Sequence, residues 1–170
     1  MTDAAGGWRS RITGQGSKPA SEFLANPSNW RTHPQNQRDA VHASLSEVGW
    51  VQQVIENVRT GHLIDGHERC WQALKNGDQD VPYLQVDLSE DEEKLVLATL
   101  DPMAAMAGAD AGVLAELLAG IETESEALQA LLDGLAGEHL PPEEWPEYDE
   151  GIADEVEYLE CPECGHKWPK

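Results

Sequence analysis

The chain has 170 residues, 40% of them hydrophobic and 6% aromatic, with a formal net charge of -21 at pH 7. That length allows one core with residues left over for tails, and no apolar run approaches the roughly 20 residues that a membrane-spanning helix needs. A surface this acidic opposes non-specific DNA binding, which requires cations against phosphate.

The charge is unevenly spread. Residues 1–80 carry eight Lys/Arg against nine Asp/Glu, and residues 81–170 carry three against twenty-three. The plain reading is a solvated acidic face and tail; the sharper one is docking to a basic partner or imitation of DNA. Met1 to Ser10 lacks the apolar segment of a secretory signal, so a cytoplasmic location is expected. The three cysteines are an odd count, and Cys161 and Cys164 form a Cys-x-x-Cys. In a reducing compartment that spacing points to metal or redox chemistry rather than to a disulfide framework.

In chain order, residues 1–19 are rich in glycine and poor in apolar anchors, which predicts a disordered lead. Trp8 and Ile12 are the exceptions. Ala20 to Leu24 reads as a short strand or turn, and Asn26-Pro27-Ser28-Asn29 is a strong turn signal. A helix is expected after Pro34, with Val41, Leu45 and Val48 at helical spacing and Gly49 as its stop. Val51 to Val58 reads as a strand and Arg59-Thr60-Gly61 as a tight turn, with His62 to Asp65 returning as the partner strand. A helix then runs from about Gly66 to Asn76, capped by Gly77, with Trp71 and Leu74 expected in the core and Cys70 as a small buried hydrophobe. Val81 to Leu88 is the next strand. Ser89-Glu90-Asp91-Glu92 has the form of a capping box and opens a helix that Asp101-Pro102 is expected to end.

Two amphipathic helices follow, one lined by Val113, Leu114, Leu117 and Leu118, the other by Leu128, Leu131, Leu132 and Leu135. They carry acids but no Lys or Arg, which argues against DNA reading and for a dimerisation or partner helix pair. Residues 138–160 hold ten acids and three prolines and read as an acidic linker. Residues 161–170 read as a zinc knuckle in which Cys161, Cys164 and His166 supply three of the four ligands that Zn²⁺ requires; an unstructured tail with two free thiols is the alternative.

Chemistry concentrates at Ile64-Asp65-Gly66-His67-Glu68-Arg69, where a strand gives way to a helix. A helix start offers unpaired amides and a positive dipole end to an anion. Gly66 removes the Cβ from the approach. Arg69 supplies a fork of donors suited to phosphate. Asp65 and His67 flank the point and have the chemistry to hold a metal or move a proton. The structural alternative is a plain strand-to-helix turn with Asp65 as N-cap and Glu68 in the favourable first turn.

Three stretches together, Asn26 to Arg31, Leu45 to Val54 and Leu63 to Arg69, followed by the strand from Val81-Pro82 to Asp87, resemble the ParB/sulfiredoxin-like superfamily over about residues 20–105. The resemblance is greatest to phage or prophage ParB-domain proteins, including those associated with DNA methyltransferases. It implies an α+β fold, a small mixed sheet with flanking helices, followed here by a helical extension over 106–137 and the acidic tail.

The resemblance also implies nucleotide binding, CTP in the partition proteins, with phosphate held at a Gly-Glu-Arg-Arg helix start whose place Gly66, His67, Glu68 and Arg69 occupy. Gln52 matches the glutamine of the family's Gln-Pro-Ile strand. Asp-Gly-His-His-Arg, the motif of ADP-dependent free-serine kinases of this fold, is matched by Asp65, Gly66, His67 and Arg69, which leaves a phosphotransferase or nucleotide hydrolase open. A non-catalytic acidic adaptor is the third reading. In the binding reading Asp65 holds Mg²⁺, His67 donates a hydrogen bond or shuttles a proton, and Arg31 makes a second phosphate contact. Trp30 or His33 then lies against the base; otherwise Trp30 packs on the sheet. No residue matches the sulfiredoxin cysteine, so sulfinic-acid repair is not expected.

Overall fold

A computed structural model describes residues 7–140, together with two short strands at 158–160 and 167–169. The elements of the first stretch are β1 (Ile12–Pro19), a single 3₁₀ turn (Ala20–Glu22), α1 (Gln35–Glu47), β2 (Val54–Asn57), β3 (Leu63–Asp65), α2 (His67–Lys75), β4 (Asp80–Val86), α3 (Glu90–Ala105), α4 (Ala111–Ala119) and α5 (Glu126–His139). The α+β class expected from the sequence is present, with one four-stranded mixed sheet in the order β1-β4-β2-β3. β2 and β3 form an antiparallel hairpin, β2 runs parallel to β4, and β1 lies antiparallel on the outer edge of β4.

Both faces of the sheet are covered. Val54 and Leu63 contribute to one buried cluster with Cys70 and Ala73 of α2. Ile64 and Val86 contribute to the other with Leu97 of α3. Leu63 and Ile64, adjacent in β3, therefore serve opposite clusters, as the two-residue period of a strand requires. α1 lies against α2, and α5 lies against α1 and α4.

Several expectations need correction. Residues 12–19, read as part of a disordered lead, form β1. Their glycines offer little apolar pattern, but the unpaired edge of β4 supplies ladder partners from Val86 to Asp80, and Arg11 adds an ion pair to Glu92 at 2.6 Å. Trp8 is fully exposed and docks on none of the described residues. The strand read over 51–58 shrinks to Val54–Asn57.

α3 does not stop at Asp101-Pro102 but carries Pro102 within its last turn. There the missing proline N–H costs one bond near a terminus that frays anyway. Ser89 does form the reciprocal capping box with Glu92. Leu74, assigned to the core, is exposed. Trp71 is half-buried beneath two cations, Arg38 at 4.7 Å and Lys75 at 4.1 Å from its ring. Cys70 is buried as expected, and loss of solvent raises its thiol to about pKa 12.

The helical stretch after 105 belongs to the same compact unit as the sheet, which ends at Leu140, and a second unit spans 141–170. Within that second unit β5 (Tyr158–Glu160) pairs antiparallel with β6 (Lys167–Pro169). Most of the acidic linker and all of Cys161, Cys164 and His166 lie outside the described residues. No helix among the described residues is long and apolar enough to cross a membrane.

A polar knot ties α3 to the hairpin and to the segment preceding α1. The buried Glu93 carboxylate accepts from Asn26 Nδ2 at 2.7 Å, Asn57 Nδ2 at 2.5 Å and Thr60 Oγ1 at 2.7 Å. Asn57 completes itself with the Leu88 carbonyl and amide, both at 3.1 Å. Burial alone would raise the Glu93 pKa, but the hydrogen bonds from Asn57, Thr60 and Asn26 outweigh it and hold the carboxyl below its ordinary 4.5. Charge-assisted bonds of this kind contribute roughly 1.5–3 kcal/mol each and leave buried donors orphaned when broken. Glu93→Ala is therefore expected to lower the urea-derived unfolding free energy by about 3 kcal/mol. Because the folded pKa is depressed, the carboxylate stabilises fully above pH 4.5 and this contribution is lost as pH falls through the folded pKa. The acid side of the stability profile should flatten in the variant.

Candidate functional site

Gly66 is the pivot of the site. It sits at the N-cap of α2 with φ +90°, a left-handed conformation, and no side chain caps the helix. A Cβ here would come within 2.7 Å of the Val54 Cβ and 3.2 Å of Arg69 Nη2. The glycine is therefore required by the sheet beneath it, as well as leaving the helix start open. The first intrahelical bond is from the Cys70 amide to the Gly66 carbonyl at 2.9 Å. The amides of His67, Glu68 and Arg69 thus have no acceptor within the helix. Asp65 is not the N-cap that the structural alternative assigned to it.

Asp65 instead holds two arginines. Its Oδ2 accepts from Arg69 Nη2 at 2.8 Å, and its Oδ1 lies 3.4 Å from Arg31 Nη1. Arg69 Nη1 also donates to Gln52 Oε1 at 2.9 Å. Arg31 Nε approaches Asp101 Oδ2 at 2.5 Å as an ion pair without hydrogen-bond alignment. Side-chain exposure is only 13% for Arg31 and 15% for Asp65. Even so, Arg31 Nη2 and Arg69 Nε are buried with no hydrogen-bond partner among the described residues. Buried guanidinium donors in that state are rare in a finished structure and mark a place for an acceptor.

His67 adds a neutral donor. Its Nε2 accepts from the backbone N–H of Asn26 at 3.2 Å, so in the neutral ring the proton belongs on Nδ1. That Nδ1 is buried without a partner among the described residues. Desolvation, then the nearby Arg31 charge, lowers the His67 pKa from its ordinary 6.5. The ring is therefore neutral at pH 7 and presents Nδ1–H. Since the folded pKa is depressed, the unfolded chain binds more protons below pH 6.5, and stability is expected to fall as pH drops through that value toward the folded pKa. His67→Gln should remove this slope from a series of urea titrations.

The loop that brings Arg31 here is fixed by Asn26. Its side-chain oxygen accepts from the Ser28 amide at 2.9 Å, and its amide nitrogen donates to Glu93. Sequence reasoning saw Asn26 only as a turn residue and Asp101 only as a helix stop. Nothing in their local pattern shows that one orients His67 and the other pairs with Arg31. Trp30 is 59% exposed and its Nε1 donates to the Leu97 carbonyl at 3.0 Å, so it rests on α3, not on the sheet.

Together Arg31, Asp65, Gly66, His67 and Arg69 line a cleft of about 480 Å³, with Trp30 and His33 at its walls. Glu68 also borders it, but its buried carboxylate accepts from Gln72 Nε2 at 2.9 Å and pairs with Arg38 at 3.6 Å. Glu68 thus braces α2. Gln52 reaches the site through Arg69. No group of three or more His, Cys, Asp or Glu that could hold a metal gathers among the described residues.

The chain is similar to solved ParB structures. One is the C-terminally truncated chromosome-partitioning protein ParB from Caulobacter crescentus complexed with CTP-gamma-S, at 21% identity and TM-score 0.49, covering 63% of this chain and 61% of that one. Two are pNOB8-like ParB N-domains. The first, in a C222₁ crystal form, has 15% identity and TM-score 0.47, covering 95% of this chain and 59% of that one. The second has 16% identity and TM-score 0.47, covering 96% and 56%. The chain thus spans less than two thirds of each of these structures. No protein-family model matches it, and no curated protein does.

Proposed function

We propose that this chain binds a nucleotide, its phosphates seated at the start of α2. The supporting observation is the set of buried, unpartnered donors: Arg31 Nη2, Arg69 Nε and His67 Nδ1. They lie in one cleft with the uncapped helix start. Two guanidinium groups and a helix N-terminus select an anion with several oxygens. The neutral His67 ring adds a hydrogen bond without adding charge. CTP is the nucleotide that the sequence resemblance implies, and a DNA-transaction role of phage or prophage type goes with it.

Asp65 is a positioning carboxylate in this reading, since both its oxygens are already engaged by guanidinium groups. If Mg²⁺ accompanies the phosphates it would draw on Asp65 and the ligand's own oxygens, offsetting their charge. Cys161, Cys164 and His166 remain proposed zinc ligands, to be read out by metal content of the purified chain.

A calorimetric panel of CTP, ATP, ADP and GTP with Mg²⁺ tests the reading. At least one nucleotide is expected to bind, competitively with inorganic pyrophosphate. Absence of heat and of any thermal shift with all four at millimolar concentration would sink it. His67→Ala should weaken the bound nucleotide by about tenfold, the worth of one neutral hydrogen bond. Release of ADP or phosphate, lost in that variant while the fold persists, would instead favour the phosphotransferase reading.

A further inference from the structure

A second concavity lies between α1 and α5, about 1160 Å³ in volume. One wall carries Val41, Leu45, Trp50 and Val51; the other carries Leu128, Leu131 and Leu135. Val51 is 79% exposed and Leu131 57% exposed. Neither α4 nor α5 has a buried residue. Monomeric proteins rarely leave so much contiguous apolar side chain on one face without a partner for it.

The shape is elongated. The α5 wall runs from Glu126 to Glu138, which at 1.5 Å per residue is about 18 Å, the span of three to four helical turns. The start of α5 is fastened by Thr123, whose hydroxyl donates to the Glu47 carboxylate at the end of α1 at 2.8 Å. The trough therefore has two helical walls and a fixed end, the form that receives an amphipathic helix.

Charge selects the occupant. Asp39, Glu126 and Glu138 edge the trough, and its one Lys or Arg is Arg69, already paired with Asp65. Residues 106–140 hold seven acids, and from Leu95 to His166 there is no Lys or Arg at all. A second copy would bring α4 and α5 acids against these acids, and residues 139–160 of the same chain would bring nine more. Like charges facing one another across an interface cost several kcal/mol. We propose that the α1/α5 trough is a docking site for a basic amphipathic helix of a partner protein, its apolar stripe on Leu131 and Val51 and its Lys/Arg flanks toward Glu126 and Glu138. This surface adjoins the proposed phosphate cleft, sharing Gln37, Val41 and Arg69 with it, but its test needs no nucleotide and its variants alter none of the phosphate-binding residues.

The probe is a labelled 18-residue Leu/Lys peptide with a helical apolar stripe. It is compared with a peptide of the same composition scrambled to lose the stripe and with a Leu/Glu counterpart. Fluorescence anisotropy on the full chain is expected to show the Leu/Lys stripe binding at least ten times more tightly than either control. Leu131→Asp and Val51→Asp each alter an exposed side chain and should keep the wild-type melting curve. Both add negative charge, so general attraction to an acidic protein would strengthen, whereas docking in the trough should weaken at least tenfold. Glu126→Lys with Glu138→Lys should also weaken binding and reduce its salt dependence. Equal binding of striped and scrambled peptides, or unchanged binding in both aspartate variants, overturns the proposal. So does a sedimentation result showing a dimer that Leu131→Asp dissolves, or wild-type binding of the basic peptide appearing only after removal of residues 141–170.

Discussion

Gly66→Ala should be the most damaging single-methyl change in the chain, lowering the unfolding free energy by about 4 kcal/mol. Two terms add. Holding a non-glycine residue at φ +90° costs about 1–3 kcal/mol. Forcing a methyl to within 2.7 Å of the Val54 side chain, which is fully buried, adds about 1–3 kcal/mol of overpacking. The sum is a large fraction of the 5–15 kcal/mol that holds a domain of this size together. The two terms separate in a double-mutant cycle. Val54→Ala alone opens a small cavity and destabilises. In the Gly66→Ala background it also removes the clash, so the double variant should be more stable than the sum of the singles predicts by about 1–3 kcal/mol. The backbone term remains, and the double variant stays below wild type. Strict additivity in urea titrations would show that the Val54 contact is not what demands glycine.

The same residue shows what a sequence can and cannot disclose. That Gly66 stands between a strand and a helix follows from local pattern: β-branched and aliphatic residues before it, helical spacing after it. Its steric partner does not, because Val54 is twelve positions away and meets it only once β2 and β3 pair. Local signals served well wherever the cause is local. Ser89 and Glu92 satisfy each other within one turn. Pro34 is the N-cap of α1, and Gly49 takes the left-handed turn after it with φ +85°. They failed wherever the partner is distant. β1 has no strand signal of its own and exists because β4 offers an edge.

The site divides along the same line. Asp65, Gly66, His67 and Arg69 are contiguous and visible as a motif, and Arg31 was legible through its loop. Asn26, Glu93 and Asp101 form the supporting shell that aims them. Asn26 and Asp101 were read for local roles, as turn and helix stop, and Glu93 was not singled out, while their tertiary partners lie 33 to 70 positions away. Glu68 shows the converse error. As an acid in the first turn of a helix it suits the dipole, but the fold uses its carboxylate sideways, to hold Gln72 and Arg38.

Arg31→Ala and Arg69→Ala should each weaken nucleotide binding by about 10- to 150-fold, the 1.5–3 kcal/mol of a hydrogen bond to a charged group. Calorimetry on variants with unchanged melting curves gives the number. Lysine at either position restores the charge but not the planar fork, and should recover less than half of the lost free energy. Asp65→Asn carries the sharper information, because two effects of opposite sign compete there. Removing a negative charge beside the phosphates favours an anion. Asparagine keeps one acceptor oxygen and turns the other into an NH₂ donor, so at least one of Arg31 Nη1 and Arg69 Nη2 loses its acceptor and that side chain is released, its rotamer freedom to be lost again on binding at up to about 2 kcal/mol. Arg31 and Asp65 are mostly buried, so their ordering is the larger effect, and affinity should drop about tenfold in Asp65→Asn despite the gain in net positive charge. Tighter binding in that variant would mean that the carboxylate competes with phosphate for the guanidinium groups, and that the ligand has to displace it rather than use the geometry it maintains.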